Sequence, residues 1–545
     1  MSLSIDPSKL KRLVAVCAFA FILAGFALRF YNITLSDFVY YDEGYYLNYT
    51  RIFSRLFAVH PPQTFSESLQ AAYAFLRICM ASGKSLWFLI ADSRIFFGAA
   101  EAWFVARVWA AVFGAATLVL AYFFARRYYE SSWEGWLTAA VLAVVPSHVF
   151  YSRIGMQEAL STFLVLLGFY FYLFPRRFGG RTLVSGGIFA LAFFANYRLI
   201  VSPAFVAVAE GWLAVSRREW PDVRKYFWFV LIFLCGVFLI GNIDEGKNTL
   251  VTFSWMFYQT RLAGEAFDPV NFLSYPYYLF RLDNIFFAAF FFLNLFFVRE
   301  RSEKQLPFLL AVAAMIIFSL PGEKGARYLC VMYPFMAMSV AAALVTVVRK
   351  YSSQPFRLAF VFFFLLMLAM MTRTSMAIAG IRSDYRTAVE YLTAKAGADI
   401  KFLSTQPYVQ NLYVRDPGQV RSAPRGFENL MQELSAGYRY LVIDPQAYIS
   451  WTANDERFRT ELDGYLGFVV KNTRPVKVFD HFNEVMMERF VFEQSQNLRR
   501  SIAFLEANRE RRFGTLQIYD VEDVVKTTLN ALGRKHPGGP PTGND

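Results

Sequence analysis

The chain has 545 residues, of which 56% are apolar, 19% aromatic and only 18% charged. Many apolar runs reach the roughly 20 residues that a helix needs to cross a bilayer, which excludes a string of soluble domains. The net charge of +13 does not indicate a nucleic-acid partner, because the basic residues fall in short clusters between apolar runs. The four cysteines and four histidines are scattered, which argues against a disulfide framework and a histidine-based metal site.

The apolar runs predict a polytopic α-helical membrane protein with about 11 transmembrane helices. The first, at residues 13–30, follows Lys9, Lys11 and Arg12 and is typical of a signal anchor whose N-terminus stays in the cytoplasm. The others are predicted at residues 99–125, 136–151, 158–175, 183–197, 199–215, 226–242, 282–298, 306–321, 328–348 and 358–379.

The positions of the basic residues support this topology, because cytoplasmic loops of membrane proteins are enriched in Lys and Arg. Every loop that the alternation of helices puts inside has them: Arg126-Arg127, Arg176-Arg177-Arg181, Arg217-Arg218 with Arg224-Lys225, Arg299-Arg301-Lys304, and Arg349-Lys350-Arg357. Loops 31–98, 152–157, 196–198, 243–281 and 322–327 and the C-terminal region are therefore predicted on the outer side of the plasma (inner) membrane.

Three parts are predicted along the chain. Residues 1–380 form the transmembrane domain, and its outer loop 31–98 carries amphipathic helices at the membrane surface. Residues 381–533 alternate strand-like and helical patterns, which indicates an extracytoplasmic α/β domain. Residues 534–545, rich in Gly and Pro, are typical of a disordered tail. Strands are predicted at 401–404, 438–443, 476–479 and 515–518, and helices at 384–396, 426–436 and 455–465.

Two adjacent carboxylates, Asp42 and Glu43, follow the first apolar run. A carboxylate beside the membrane can deprotonate a hydroxyl that it reaches by a hydrogen bond. The alternative is a solvated acidic pair at the start of a helix. Paired carboxylates also suit hard cations, so a divalent metal at Asp42 and Glu43 is an open alternative.

Several cations lie in the predicted outer loops, where the positive-inside rule disfavours them. Lys84 follows Gly83 in an aromatic stretch and can bind a lipid phosphate or reach the headgroups. Arg153 and Glu158 join two helices, either as an Arg–Glu pair or as functional groups. Arg198 lies in a break between two apolar runs, where membrane proteins place polar sites or simple turns.

The last outer loop adds Lys324 and Arg327, followed by Tyr328, and for these the functional interpretation is favoured. Arg107 lies inside the second apolar run and should meet a carboxylate, with Asp42, Glu43 or Glu101 as candidates. An acid beside many cations at the outer face of a membrane suits a phosphate attached to a lipid. The cations would hold the phosphate as it departs, and the carboxylate would activate the incoming hydroxyl.

The order of these motifs resembles GT-C class membrane glycosyltransferases, the class that includes protein O-mannosyltransferases and lipid A aminoarabinose transferases. The resemblance covers residues 10–350. It uses Asp42-Glu43, Gly83-Lys84 with Leu86 and Trp87, Glu101 with Arg107, Arg153 to Glu158, and Arg327-Tyr328-Leu329 with Tyr333-Pro334.

The resemblance implies that Asp42 is the general base for the acceptor hydroxyl, and that Lys84 and Arg327 hold a polyprenyl phosphate. Glu158 stands where the family has an acidic residue. Two departures are Ser85-Leu86, where the family's lysine motif continues with prolines, and Arg198, where relatives carry lysine.

The predicted activity is transfer of a sugar from a polyprenyl-phosphate donor to a hydroxyl of an envelope lipid, glycan or protein. Direct attack at the anomeric carbon, implied by the family, inverts its configuration. The predicted partners are the donor, the acceptor and membrane lipids. The alternative is a transporter or flippase of the same lipid-linked sugar, which explains the cations but not the outer acid pair.

Overall fold

The computed structural model describes most of the chain, and the described part is mainly helical. The described residues are 7–33, 42–44, 46–48, 63–80, 83–91, 102–174, 178–241, 254, 258, 268–300, 302–351, 353–424, 426–444, 465–480, 484–493, 495–508 and 515–534. Contacts divide the chain into two units, residues 1–35 with 49–380 and residues 36–48 with 381–545.

The described part of the first unit is helical. Its helices are α1 (Pro7–Phe30), α2 (Phe65–Met80), α3 (Ser85–Ala91), α4 (Ala102–Tyr128), α5 (Ser132–Val144), α6 (Pro146–Tyr151), α7 (Glu158–Leu173), α8 (Gly180–Ala195), α9 (Ser202–Arg217), α10 (Val223–Gly241), α11 (Ser274–Tyr278), α12 (Ile285–Phe292), α13 (Leu306–Ser319), α14 (Tyr333–Lys350) and α15 (Gln354–Ala379). Short 3-10 segments precede α9 (Tyr197–Val201) and α14 (Ala326–Met332), and a π turn (Leu279–Asp283) precedes α12.

Four of the described helical segments are long and apolar enough to cross a membrane: Val105–Tyr128, Tyr197–Arg217, Ala326–Lys350 and Gln354–Ala379. Shorter apolar helices occur at Val14–Phe30, Glu158–Leu173, Gly180–Ala195 and Ile285–Phe296. The structure therefore has the helices of an integral membrane protein, and the number eleven stays a prediction. The surface helices of loop 31–98 are predicted at 43–59 and 66–91. Helices α2 and α3 cover 65–80 and 85–91, and most of 43–59 lies outside the described residues.

Close packing of α1 against α5 depends on one glycine. A Cβ atom built on Gly25 would lie 2.5 Å from both the Cβ and the carbonyl oxygen of Ala143. Because the near atom belongs to the backbone, no side-chain rotation relieves this contact. Gly25 thus allows the two helix backbones to approach more closely than any larger residue would.

The second unit contains a five-stranded sheet with helices on both faces. Its strands are β1 (Phe402–Ser404), β2 (Val420–Ser422), β3 (Tyr440–Ile443), β4 (Lys477–Phe479) and β5 (Leu516–Asp520), in the order β2-β1-β3-β5-β4. β1 pairs in parallel with β2 and β3, and β5 pairs antiparallel with β3 and β4. Its helices are α16 (Tyr385–Ala396), α17 (Pro407–Gln410), α18 (Phe427–Ser435), α19 (Glu484–Glu493), α20 (Leu498–Asn508) and α21 (Val521–Arg534).

Alternating side chains of the strands divide the core of this unit into two layers. Phe402 of β1 packs with Leu392 of α16 on one face, whereas Leu403 packs with Leu430 of α18 and Val524 of α21 on the other. Period-two alternation is what a sheet covered on both faces requires. The α/β prediction is confirmed as regards a small sheet with helices; β2 was missed, and the predicted helix at 455–465 falls almost wholly outside the described residues.

The α1–α5 contact predicts that Gly25→Ala destabilises the protein. Overpacking costs about 1–3 kcal/mol, which exceeds the roughly 0.5–1 kcal/mol that alanine gains over glycine in a helix. We expect a lower midpoint of thermal unfolding in detergent. The matched control is Gly187→Ala in α8, where an added Cβ meets no atom within 4 Å. Equal midpoints for the two variants would contradict the packing argument.

Candidate functional site

Gly83, the residue before Lys84, is hydrogen-bonded to the first residue of the 3-10 segment Tyr197–Val201. The Tyr197 N–H donates to the carbonyl of Gly83 at 3.0 Å. Gly83 has φ +69°, and a Cβ there would lie 2.6 Å from the Tyr197 ring. Only glycine adopts this left-handed conformation cheaply and leaves room for the ring. Lys84, half-buried at the beginning of α3, is therefore held beside the residue that precedes Arg198.

Arg198 is buried and lies over two aromatic rings. Its guanidinium carbon is 4.2 Å from the centre of the Tyr328 ring and 5.2 Å from that of Tyr197. The negative face of an aromatic ring attracts a cation, and a planar guanidinium suits this arrangement well. The Tyr328 hydroxyl has no hydrogen-bond partner within the described residues. The Arg198–Tyr328 stack thus places a buried cation next to an available hydroxyl.

Arg327 lies in the same neighbourhood. Its guanidinium is 3.8 Å from the carboxylate of Glu323, and it interacts electrostatically with Arg198. Glu158, also buried, feels the charges of Arg327, Lys84 and Arg198, with that of Arg327 the strongest of the three. We call Lys84, Arg198 and Arg327 the cation cluster.

Glu158 lies at the start of α7 beside the cation cluster. One of its carboxylate oxygens accepts from the Gln157 amide at 3.0 Å, and the other has no partner among the residues that the structure describes. Only 2% of the residue is exposed. A carboxylate in such a place needs nearby positive charge, since unpaired buried charges are costly. The structure thus groups five of the predicted site residues: Lys84, Glu158, Arg198, Arg327 and Tyr328.

Arg153 and Arg107 have a different environment, because both donate to backbone carbonyls. Arg153 donates to the carbonyls of Leu28 in α1 and, at 3.3 Å, of Ala379 at the end of α15. Arg107 donates to the carbonyl of Ile33 at 3.1 Å. Carbonyls in the last turn of a helix lack partners within the helix, and basic side chains satisfy them. In the described part of the chain, Arg153 makes no ion pair with Glu158.

Arg29 was not predicted as a polar residue of interest, although it lies within the first apolar run. It is fully buried and donates to the carbonyls of Gly25 at 2.7 Å and Ala143 at 2.9 Å. Its other terminal nitrogen is 2.6 Å from Nδ1 of His148. The signal was available, because an ionisable residue inside an apolar run needs a partner. Its contacts make it a link between α1, α5 and α6.

Asp283 is a second residue that the sequence did not single out. It is buried, accepts the N–H of Ser147 at 2.8 Å and the hydroxyl of Tyr333 at 2.7 Å. The first contact caps the N-terminus of α6, where a carboxylate also complements the helix dipole. Because the capping residue is 136 positions away in sequence, no local pattern could reveal it.

Lys324 is held within its own loop. Its ammonium donates to the carbonyls of Pro321 at 2.6 Å and Gly322 at 3.0 Å. Burial disfavours the charged form and lowers the pKa of Lys324 to about 8. The ammonium therefore begins to lose its proton only slightly above neutral pH.

The predicted acid pair belongs to the second unit, whereas the cation cluster belongs to the first. Asp42, Glu43 and Gly44 are helical, and Glu43 is fully buried while Asp42 is half-buried. Glu101, the third candidate partner of Arg107, lies outside the described residues. No group of three or more His, Cys, Asp or Glu that could hold a metal occurs within the described ranges.

An apolar groove runs between α9 and α13 in the first unit. Its volume is about 380 Å³, and Val208, Trp212, Leu309 and Ile316 contribute to its walls. Arg198 precedes α9 by four residues, and Lys324 and Arg327 follow the end of α13. The two walls of the groove are therefore continuous in sequence with the loops that carry the cations.

Comparison with known proteins finds a family model that matches part of the chain and solved structures of similar fold. A family model described as dolichyl-phosphate-mannose-protein mannosyltransferase matches residues 15–192. No curated protein matches the chain. Among solved structures, the Archaeoglobus fulgidus oligosaccharyltransferase in complex with Zn and sulfate has a TM-score of 0.50 at 13% identity, and the match covers 84% of this chain and 71% of that chain.

ArnT from Cupriavidus metallidurans also matches. The apo structure has a TM-score of 0.47 at 13% identity, and the match covers 70% of this chain and 89% of that chain. The structure bound to undecaprenyl phosphate has a TM-score of 0.48 at 12% identity, with 82% and 95% covered. With the family match and the fold match to the oligosaccharyltransferase, the chain resembles GT-C class membrane glycosyltransferases, as its motifs predicted. The matched family and fold are those of glycosyltransferases.

The contacts of Arg153 predict that Arg153→Met destabilises the protein. The variant keeps an unbranched apolar stem but leaves two helix-end carbonyls without a donor, which costs about 1–3 kcal/mol for each buried group. We expect a lower thermal midpoint and unchanged affinity of the folded protein for undecaprenyl phosphate. Arg181→Met, at an exposed arginine in the first turn of α8, is the control. A stable variant with weakened phosphate binding would instead place Arg153 in a donor site.

Proposed function

We propose that the protein is an integral membrane glycosyltransferase that moves one sugar from a polyprenyl-phosphate donor to a hydroxyl acceptor. The observation that carries this proposal is the cation cluster, in which the charges of buried Arg198 and Arg327 and half-buried Lys84 act on the carboxylate of Glu158. The match of residues 15–192 to a family named for dolichyl-phosphate mannose supports a polyprenyl phosphate as the donor.

The cation cluster is proposed to hold the donor phosphate. Two guanidinium groups and one ammonium supply many N–H donors and three positive charges, which suits a phosphate better than any neutral ligand. The hydroxyl of Tyr328, without a partner among the described residues, can donate one further hydrogen bond. The apolar groove between α9 and α13 offers a surface of the kind that a polyprenyl tail requires, because burial of each CH₂ contributes about 0.8 kcal/mol.

The same charges favour the chemical step. When the bond between the anomeric carbon and the phosphate oxygen breaks, negative charge grows on the phosphate. Cations fixed in a dry environment stabilise that charge more than water does, because they need no reorganisation. Glu158 is proposed to balance the three cations when the donor is absent, so that their burial is less costly.

Asp42 is proposed as the general base. The acceptor oxygen attacks the anomeric carbon, the phosphate leaves with the electron pair of the broken bond, and the hydroxyl proton passes to the Asp42 carboxylate. Support comes from the position of Asp42-Glu43 after the first apolar run and from the family that the chain resembles. Attack opposite the departing phosphate inverts the anomeric carbon.

A divalent cation at Asp42 and Glu43 stays a prediction. These carboxylates are of the right type for a hard cation, but Ca²⁺ takes six to eight oxygen ligands and Mg²⁺ six. Within the described ranges no third ligating side chain joins them. No step of the proposed reaction is therefore assigned to a metal.

The orientation in the membrane is also part of the proposal. The clusters of basic residues support about eleven helices with the N-terminus in the cytoplasm of the cell. The cation cluster, the acid pair and the α/β domain then face the outer side of the plasma (inner) membrane. A lipid, glycan or protein of the envelope that carries a free hydroxyl would be the acceptor.

The proposal predicts that Asp42→Asn loses turnover and keeps donor binding. An amide of the same shape cannot accept the proton, and loss of a general base lowers the rate by about 10²–10⁴-fold. Turnover is measured as release of polyprenyl phosphate from polyprenyl-phosphate mannose in native membrane vesicles, which supply the acceptor. Binding is measured with undecaprenyl phosphate and the purified protein.

Two further variants make this test specific. Asp523→Asn, at an exposed carboxylate on α21, should retain full turnover. Arg327→Gln should show the opposite defect to Asp42→Asn, namely weaker binding of undecaprenyl phosphate. If Asp42→Asn still releases the phosphate at the normal rate, or if the protein only moves the intact lipid across vesicles, the transferase assignment fails and a flippase is favoured.

The lowered pKa of Lys324 predicts that donor binding weakens above about pH 8. We propose that Lys324, three residues before Arg327, also attracts the donor phosphate in addition to the cation cluster. The lysine is cationic below its pKa of about 8 and neutral above it, so the phosphate loses one attracting charge as the pH rises. From pH 7 to pH 9 the dissociation constant of undecaprenyl phosphate should increase by up to about tenfold. In Lys324→Arg the increase should disappear, because a guanidinium stays charged throughout this range.

A lysine outside the site serves as the control for this titration. Lys304→Arg, at an exposed position after α12, should keep the pH dependence of the unmodified protein. An unchanged pH dependence in Lys324→Arg would show that the charge of Lys324 is not used to bind the phosphate. Its contacts with Pro321 and Gly322 would then serve only to hold the loop.

A further inference from the structure

The segment that contains the acid pair is built into the second unit. Residues 36–48 group with residues 381–545, and most described side chains of the segment are buried there. Tyr46 and Leu47 are 5% and 1% exposed, and Glu43 is not exposed at all. We call residues 42–48 the acid segment; Tyr45 within it lies outside the described residues.

Two contacts attach the acid segment to helix α17. The side-chain amide of Asn48 donates to the carbonyl of Tyr408 and, at 2.8 Å, to the carbonyl of Gly44. Gly44 itself lies against α17, since a Cβ built there would be 2.9 Å from Cγ2 of Val409. Asn48 therefore closes a turn of the acid segment and joins it to α17 with the same amide.

Helix α17 is itself fixed by the sheet. It begins directly after β1, where the Ser404 hydroxyl accepts the N–H of Gln406 at 2.8 Å and Thr405 donates to the carbonyl of Val442 in β3 at 3.1 Å. Val409 is fully buried and belongs to the core layer that contains Phe402. The position of the acid segment thus follows the position of the parallel strands.

We infer that Asn48, Gly44 and Val409 are positioning residues for Asp42, and that the α/β domain serves catalysis by holding the acid segment. This inference rests on the proposed role of Asp42 as general base. Gly44 is two residues from Asp42, so a shift of the α17 contact is passed directly to the carboxylate. Misplacement of a catalytic group by about 1 Å can lower a rate by about 10²-fold.

Asn48→Ala tests the inference, with Asn472→Ala as the matched control. Asn472 lies in the same unit and makes the same kind of bond, from its amide to the carbonyl four residues earlier, but it is exposed. Turnover is measured with polyprenyl-phosphate mannose in native vesicles, and affinity with undecaprenyl phosphate. We expect Asn48→Ala to lower turnover at least about tenfold, while affinity and thermal midpoint match those of Asn472→Ala.

A compensating pair covers the case in which Asn48→Ala is unstable. Gly44→Ala adds a methyl group 2.9 Å from Cγ2 of Val409 and should lower turnover; Val409→Ala removes that Cγ2 atom. The double variant Gly44→Ala with Val409→Ala should recover at least part of the lost turnover. Recovery is expected only if the contact sets the position of the carboxylate.

The outcomes separate this inference from the proposed function. If Asp42→Asn is inactive but Asn48→Ala turns over like Asn472→Ala, the positioning role is wrong and the base assignment stands. If Asp42→Asn is active, the base assignment fails, and the inference fails with it. A double variant at positions 44 and 409 that is no faster than Gly44→Ala would also overturn the positioning role.

Discussion

Removing a guanidinium from water costs several kcal/mol unless hydrogen bonds or opposite charges replace its hydration, and this constraint governs the first unit. Arg29 and Arg153 replace their hydration by hydrogen bonds to helix-end carbonyls, which would otherwise lack donors. Arg198 is stabilised instead by cation–π contacts with the rings of Tyr197 and Tyr328. Arg29, Arg153 and Arg198 thus each fix at least two segments of the chain relative to each other.

The two kinds of partner separate structural arginines from those suited to a ligand. Carbonyl oxygens from helix ends are permanent acceptors, and replacing them by a phosphate would leave the helix ends without donors. A cation–π contact engages the face of a guanidinium, and a single carboxylate accepts from at most two of its N–H groups. On this ground Arg198 and Arg327 suit a departing phosphate, and Arg153 suits the joining of α1 to α15.

The second unit has a simple physical role if the acid segment is part of it. A base must be placed accurately, and rigid elements hold side chains better than long loops do. Val409 lies in a core layer of the sheet, and Asn48 bonds to the helix that contains it. The α/β domain is then a rigid support for Asp42.

The sequence alone predicted apolar helices in the first unit and most strands of the sheet in the second. The length of an apolar run and the period-two alternation of side chains are local patterns, so they can be recognised without the tertiary structure. It also named Lys84, Arg198 and Arg327, since cations at the ends of apolar runs are costly wherever they fold. Only the tertiary structure decided which cations act on Glu158, that Arg153 donates to helix-end carbonyls, and that Asp283 caps α6. Those outcomes depend on atoms about 3–4 Å apart whose residues are far apart in sequence, and no local pattern encodes such contacts.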